Sequence, residues 1–186
     1  MKLKIIALGI IAFFYLLFIF LATLPDNKLH LVFCDVGQGD AAYIRGPKGT
    51  DIIIDGGPDS RVLNCLGNKM PFWDRTIELV ILSHPQADHL TGLIEILKRY
   101  QVKQIIDSSA KNETQEYKFW EKLIKEKKIK RMEAQKGQSI KVDGNVNLAV
   151  LWPKSDKNTS LNSTSTVVHL SFGTFSSLFT GDLLRL

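Results

Sequence analysis

Between Ser83 and Gly92 the chain reads SHPQADHLTG. Two imidazoles, His84 and His89, and a carboxylate, Asp88, stand close together, with an amide, Gln86, between them. Imidazole and carboxylate are the common ligands of catalytic zinc and its relatives. Two bound ions about 4 Å apart can lower the pKa of a water from about 15.7 to about 7 and clamp a phosphoryl oxygen. Chemistry of that kind needs a second ligand cluster and a bridging carboxylate elsewhere in the chain.

The neighbouring residues indicate how such groups would be held. ELVILS (78–83) reads as a buried strand running into the motif, and LTGLIEILKRY repeats Leu93, Ile94 and Leu97 at helical spacing. The motif therefore occupies a strand-to-helix turn, where a fixed backbone can deliver several polar side chains to one point. Upstream, LHLVFCDV (29–36), AAYIRG and DIIIDGG (51–57) read as strands bounded by GQGD and GGP turns. Downstream come a short strand QIIDSS, a helix NETQEYKFWEKLIKEKKIK with Phe119, Leu123 and Ile124 on one side, and strands VNLAVLWP, TVVHLSFG and SSLFTGD, the last ending at Asp182. Asp35, Gln38, Asp40 and Asp55 lie among glycines that permit tight turns, and turn chemistry accounts for them. A role at the rim of a site, or behind its ligands, stays open for Asp40 and Asp55. His30 and His169 read as structural, His169 as a surface residue of its strand.

At 186 residues, 45% hydrophobic and 23% charged, the chain is long and apolar enough to bury a core, which excludes disorder as its main state. Ile5 to Leu24 carries no charge, enough helix to span a bilayer core of about 30 Å. FLATLPDN offers no clean small-x-small cleavage site, so residues 1–25 read as an uncleaved transmembrane anchor rather than a signal peptide. Lys2 and Lys4 precede the span, which places the N-terminus in the cytoplasm and the domain at 26–186 outside it. The net charge of +5 resides in residues 118–131, where seven Lys or Arg face two Glu; Lys122, Lys125 and Lys128 are the candidates there for contact with nucleic acid. Cys34 and Cys65 could pair in an oxidising compartment, but the apolar run around Cys34 favours a buried free thiol.

HPQADH, the preceding IIIDGG and the later LFTGD resemble the metallo-β-lactamase superfamily, whose usual first motif is HxHxDH. More narrowly, FCDVGQGDAAYIR, DIIIDGGP, MPFWDRTIELVILSHPQADHLTGLIEILKRY, VLWP and SLFTGD together resemble the C-terminal hydrolase-like domain of the ComEC competence-protein family, over nearly all of residues 29–186. The resemblance implies an αββα sandwich. It also implies that His84, Gln86 and a third downstream residue hold one metal, that Asp88 and His89 hold the second, and that Asp182 bridges them. The third position falls on Asn162 by its spacing ahead of Asp182. Oxygen from two amides in place of two imidazoles favours Mn²⁺ or Mg²⁺ over Zn²⁺.

In the superfamily two similar halves form the sandwich, and the second half adds a further histidine after the bridging aspartate. Here the sequence extends four residues past Asp182, so the expectation is the N-terminal half only, a domain incomplete at its C-terminus that would expose an apolar sheet face. The family's multi-helix channel is likewise expected to be a separate partner. The leading expectation is a single-pass protein of a bacterial cytoplasmic membrane with an extracytoplasmic metal-dependent phosphodiesterase or nuclease domain, acting on DNA during uptake, with Asp88 as its catalytic carboxylate. The alternatives are a catalytically inactive DNA-binding or scaffolding module, and a hydrolase of small esters or lactones.

Overall fold

The structure is a computed structural model describing residues 2–152 and 160–183. It opens with helix α1 (Lys2–Ala22), exposed along its length, of which Lys4–Ala22 is long and apolar enough to cross a membrane. Strands β1 (His30–Phe33), β2 (Ala42–Arg45) and β3 (Asp51–Ile54) follow as an antiparallel meander. Then come α2 (Arg61–Lys69), β4 (Thr76–Leu82), α3 (Ala87–Arg99), β5 (Gln101–Asp107), α4 (Gln115–Glu126) and β6 (Lys130–Glu133). β3, β4, β5 and β6 run parallel, each joined to the next by one helix, because parallel neighbours need a crossover connection.

Both faces of this six-stranded sheet are covered, and its central strands are accordingly near-continuous apolar runs. On one face Tyr43, Ile53, Val80 and Ile105 pack under α2, α3 and α4 through Val62, Leu66, Leu90, Leu93, Ile96 and Trp120. On the other, Ile44, Ile52, Ile81 and Ile106 meet Leu148, Val150, Val168 and Leu170 of a second, four-stranded sheet. That sheet consists of β7 (Ser139–Lys141), β8 (Asn147–Trp152), β9 (Val167–Phe172) and β10 (Phe175–Phe179), antiparallel in the order β10-β9-β8-β7. The result is the α/β sandwich expected from the sequence. β7–β10 cover the inner face of the six-stranded sheet, while on the four-stranded sheet itself Leu151 and Leu178 stand exposed.

The expected elements stand with trimmed ends. The first strand stops at Phe33 and the third at Ile54, because Gly37, Gly39, Asp55 and Gly57 all take positive φ. The basic helix is four residues shorter at its C-terminal end than its lysines suggested, since Lys128 adopts a left-handed backbone (φ 53°) and Lys130 already belongs to β6. Thr114 caps its start, accepting from Tyr117 N–H at 3.3 Å. The sequence reading passed over α2, β6 and β7; β6 is a charged edge strand, KRME, with no alternating pattern to betray it. Pro153, which ends the run VNLAVLWP, lies outside the described residues.

The free-thiol expectation is also corrected. Cys34 and Cys65 are joined as a disulfide that ties the residue after β1 to the middle of α2 across a sequence separation of 31. Closing a loop of that size restricts the unfolded chain by about 3–4 kcal/mol. Urea unfolding of the Cys34→Ser/Cys65→Ser chain is expected to show a stability loss of about 3 kcal/mol. Unchanged stability would mean the bond does not form in the native protein.

Candidate metal centre

The parallel strands set the site's location. β3, β4 and β5 end on one edge of the sheet, so the residues that follow Ile54 and Leu82 are neighbours although far apart in sequence. Asp55 takes φ 58° at the exit of β3 and turns its carboxylate across to the exit of β4. There Oδ1 accepts from the Ser83 backbone N–H at 2.7 Å, and Oδ2 lies 3.0 Å from His89 Nδ1. α3 is fastened to the same strand exit by Gly56 N–H donating to the His89 carbonyl (2.8 Å) and Gly92 N–H donating to the Gly57 carbonyl (2.9 Å). A Cβ on Gly92 would stand 1.8 Å from the Gly56 carbonyl oxygen, so only glycine lets the helix approach this closely.

His84 and His89 are fully buried, with ring centroids 4.3 Å apart. Because the Asp55 carboxylate can only accept, His89 Nδ1 carries the proton and Nε2 is directed the other way. Ser83 Oγ stands 3.0 Å from His84 Nδ1 and can accept from it, which likewise leaves Nε2 as the outward atom. Both Nε2 atoms are buried and make no hydrogen bond among the described residues. They face the partly exposed Asp182: His84 Nε2 is 3.8 Å from Oδ2 and His89 Nε2 is 3.4 Å from Oδ1. Two orphaned imidazole nitrogens and a carboxylate, with ligand atoms within 4.8 Å of one another, fit one divalent cation. A second group, Asp40, Asp55 and His89, meets the same spacing on the other side of that ring.

Asp182 arrives from the second sheet. Thr166 N–H donates to the Ser83 carbonyl at 2.8 Å and locks the start of β9 to the exit of β4, while Gly181 lies so close that a Cβ would stand 2.7 Å from Ser83 Cβ. Beside the centre a cavity of about 180 Å³ is lined by Asp40, Asp55, Phe33, Leu178 and Thr180 among others.

Electrostatics follow from this packing. Burial opposes a charge on His89, but the hydrogen bond and charge of Asp55, with Asp182 and Asp88, outweigh it and push its pKa up to about 9. Burial, then the charge of His89, holds His84 below the ordinary imidazole value. Desolvation raises the Asp40 carboxyl; His89 opposes, and Asp55, Asp182 and Asp88 add to the rise. Four carboxyl groups, of Asp40, Asp55, Asp88 and Asp182, thus gather around His89, a setting that suits a cation.

The remaining predicted residues fall as follows. Asp88 sits half-buried in the first turn of α3, beside both ligand groups but in neither. Gln86 and Asn162, separated by 76 residues, are brought together, with Gln86 Nε2–H donating to Asn162 Oδ1 at 2.6 Å; the bond engages the Asn162 oxygen and leaves Gln86 Oε1 out of it. Lys122 and Lys125 lie on the exposed face of α4 and Lys128 on the turn into β6, all away from the centre. His30 pairs with Asp26 at 3.0 Å, and His169 sits half-buried on β9. Sequence reasoning accounted for Asp55 by turn chemistry while leaving open a place behind the ligands, which is where it stands, and passed over Ser83; the signal for Asp55 was its place at the end of DIII, a strand end like that before His84.

These features define a class. Residues 50–183 match the family model described as a beta-lactamase superfamily domain, and the chain belongs to that family. It is also 26% identical over 187 residues to ComE operon protein 3 of Bacillus subtilis (strain 168), a match covering 91% of this chain and 24% of that protein. The chain therefore spans about a quarter of that relative's length. Among solved structures it superposes on the metallo-β-lactamase fold protein YhfI from Bacillus subtilis (TM-score 0.55, 17% identity, 82% of this chain and 61% of that one). It superposes similarly on a HARLDQ-motif metallo-β-lactamase from Cronobacter sakazakii (0.55, 17%, 88% and 62%) and on CmlA, a diiron β-hydroxylase from Streptomyces venezuelae (0.52, 19%, 82% and 30%). The fold is that of the metallo-β-lactamases, and divalent metal binding is the chemistry that this fold and the His84, His89 and Asp182 group share.

At pH 7 His89 holds a proton that an ion must displace, so cation affinity is expected to rise about tenfold per pH unit up to about pH 9. Calorimetric titration with Mn²⁺ in buffers of different ionisation enthalpy should show about one proton released per ion. Asp55→Asn should reduce that release and, above about pH 9 where His89 is neutral with or without it, weaken binding about 10- to 100-fold. Binding without proton release would contradict the assignment.

Proposed function

We propose that this chain is a membrane-anchored, metal-dependent hydrolase that cleaves phosphodiesters, with DNA as substrate, outside the cytoplasmic membrane of a bacterium during competence-related DNA uptake. The observation that carries hydrolysis is the pair of buried, unbonded Nε2 atoms of His84 and His89 facing Asp182. The substrate rests on the likeness to ComE operon protein 3, whose name concerns competence. The Cys34–Cys65 bond supports the location, since disulfides persist in oxidising compartments, and α1 with Lys2 and Lys4 ahead of it supports the orientation. A separate channel protein, and further chain completing a two-ion site, are the partners this reading requires.

In the proposed mechanism Asp55 orients His89 and keeps its Nδ1 protonated, so that Nε2 is the ligand. Ser83 Oγ holds the His84 ring by its Nδ1, which turns Nε2 toward the site, and Asp182 supplies the carboxylate between the two rings. Gln86 and Asn162 offer amide oxygens that suit Mn²⁺ or Mg²⁺ better than Zn²⁺, the Asn162 oxygen once its bond from Gln86 Nε2–H opens. A bound divalent ion would supply a hydroxide near neutral pH and polarise a phosphoryl oxygen. Asp88, in the first turn of α3 near His89 and Asp40, would accept a proton from the attacking water.

One observation favours a second reading. The bond from Gln86 Nε2–H to Asn162 Oδ1 occupies one of the expected ligand oxygens, as in a domain that kept the fold and serves as a DNA-binding or scaffolding module through Lys122, Lys125 and Lys128. Cleavage of single-stranded and duplex DNA by the full chain should be measured with Mn²⁺, Mg²⁺ and Zn²⁺. Activity with Mn²⁺ or Mg²⁺ is expected, abolished by chelator and lowered about a hundredfold or more by His84→Ala or Asp182→Asn. Salt-dependent DNA retention that survives chelation and His84→Ala, with no cleavage under any ion, would replace hydrolysis with the scaffold.

A further inference from the structure

Strand direction sorts the molecule into two ends. β3, β4, β5 and β6 finish at the metal centre and start at the opposite end, at Asp51, Thr76, Gln101 and Lys130. β1 runs parallel to β3, since each is antiparallel to β2, so its first residue His30 also lies at that starting end. α1 therefore delivers the chain to the end of the domain away from the chemistry.

Two features that the metal centre leaves unused share that end. The loop between α2 and β4 presents Phe72 (67% exposed) and Trp73 (39% exposed), packed edge to face at 4.8 Å. Trp73 also lies 5.0 Å from Phe20 in the last turns of α1, so this aromatic pair sits where the apolar helix ends. Two residues on, Arg75 opens a groove of about 700 Å³ whose charged lining residues are all basic: Arg75, Lys98, Arg99, Lys103, Lys127 and Lys128. Glu95 and Glu78 hold Lys98 and Lys103 from outside the groove. Arg75, Arg99, Lys127 and Lys128 have no acidic partner among the described residues, and Arg75 instead lies over the Tyr100 ring at 5.6 Å.

We propose that this end is a membrane-docking surface: Phe72 and Trp73 enter the headgroup layer of the bilayer that α1 crosses, and the basic groove lies on its anionic phospholipids. The proposal rests on α1 being a membrane span. Exposed aromatic rings at the end of a span are what the interface favours, and clustered Lys and Arg are drawn to anionic lipid within a Debye length of it. DNA is the lesser fit, because a strand of seven residues at about 3.3 Å each sets the groove roughly 20 Å from the metal centre, out of reach of the groups that would cut it.

The test is hydrogen–deuterium exchange on the full chain in nanodiscs of phosphatidylcholine with and without one third phosphatidylglycerol. Amides of residues 71–75 and 98–103 should exchange more slowly on the anionic discs, whereas residues 83–89 should not differ. Arg99→Gln and Lys127→Gln, both on exposed side chains, should each reduce that protection about fivefold, and Phe72→Ser should reduce it on either lipid. Carbonate extraction of native membranes reports separately on α1: extraction of the chain would overturn the span and the docking together. Retention of the chain with equal exchange of residues 71–75 and 98–103 on both discs would overturn docking alone. Protection of those amides by an added oligonucleotide, but not by phosphatidylglycerol, would assign the groove to DNA instead.

Discussion

The candidate centre depends on one buried carboxylate. Asp55 is almost wholly shielded from water, and a charge so placed is tolerated only when its oxygens are satisfied. One oxygen takes the Ser83 backbone N–H, which fixes the exit of β4; the other takes the His89 ring, which fixes the first turn of α3. Strand, turn and helix are thus registered to each other by a single side chain. Without it, His89 would lose the partner that aims its Nε2, and Ser83, whose Oγ faces His84, would lose its backbone anchor.

A similar device operates at the far end of the same strand. Asp51, the first residue of β3, is fully buried and accepts from Tyr43 Oη at 2.6 Å and from Arg45 Nη1 at 2.7 and 2.8 Å. Burial pushes its pKa up to about 7 against the pull of those partners. The four-residue strand DIII is therefore pinned by an aspartate at its start and another just past its end, with isoleucines filling both faces between them. The apolar centre supplies cohesion and the two carboxylates supply register, so the polar residues of this strand are structural at one end and functional at the other.

Most of the fold was legible because its signals are local. ELVIL and DIII are apolar on both faces, as parallel strands between two layers must be, and the helix after His89 shows its period in Leu90, Leu93, Ile94 and Leu97. The motif at 84–89 was legible for the same reason. What escaped depended on contacts between distant residues. Cys34 looks like one more apolar residue until α2 places Cys65 against it. Asp55 looks like a turn residue until the parallel register sets it beside Ser83. β6 and β7 are short edge strands whose polar residues face solvent, so neither has an alternating pattern to read.

The route by which Asp182 reaches the two histidines has a consequence for biogenesis. The imidazoles come from the first sheet and the carboxylate from the second, joined at that point through Thr166 and Ser83. A nascent chain that has formed only its helices and first sheet already holds the Asp40, Asp55 and His89 group, but it lacks the carboxylate that faces both Nε2 atoms. The set of His84, His89 and Asp182 thus exists only once the two layers have closed, which makes it a signature of completed assembly.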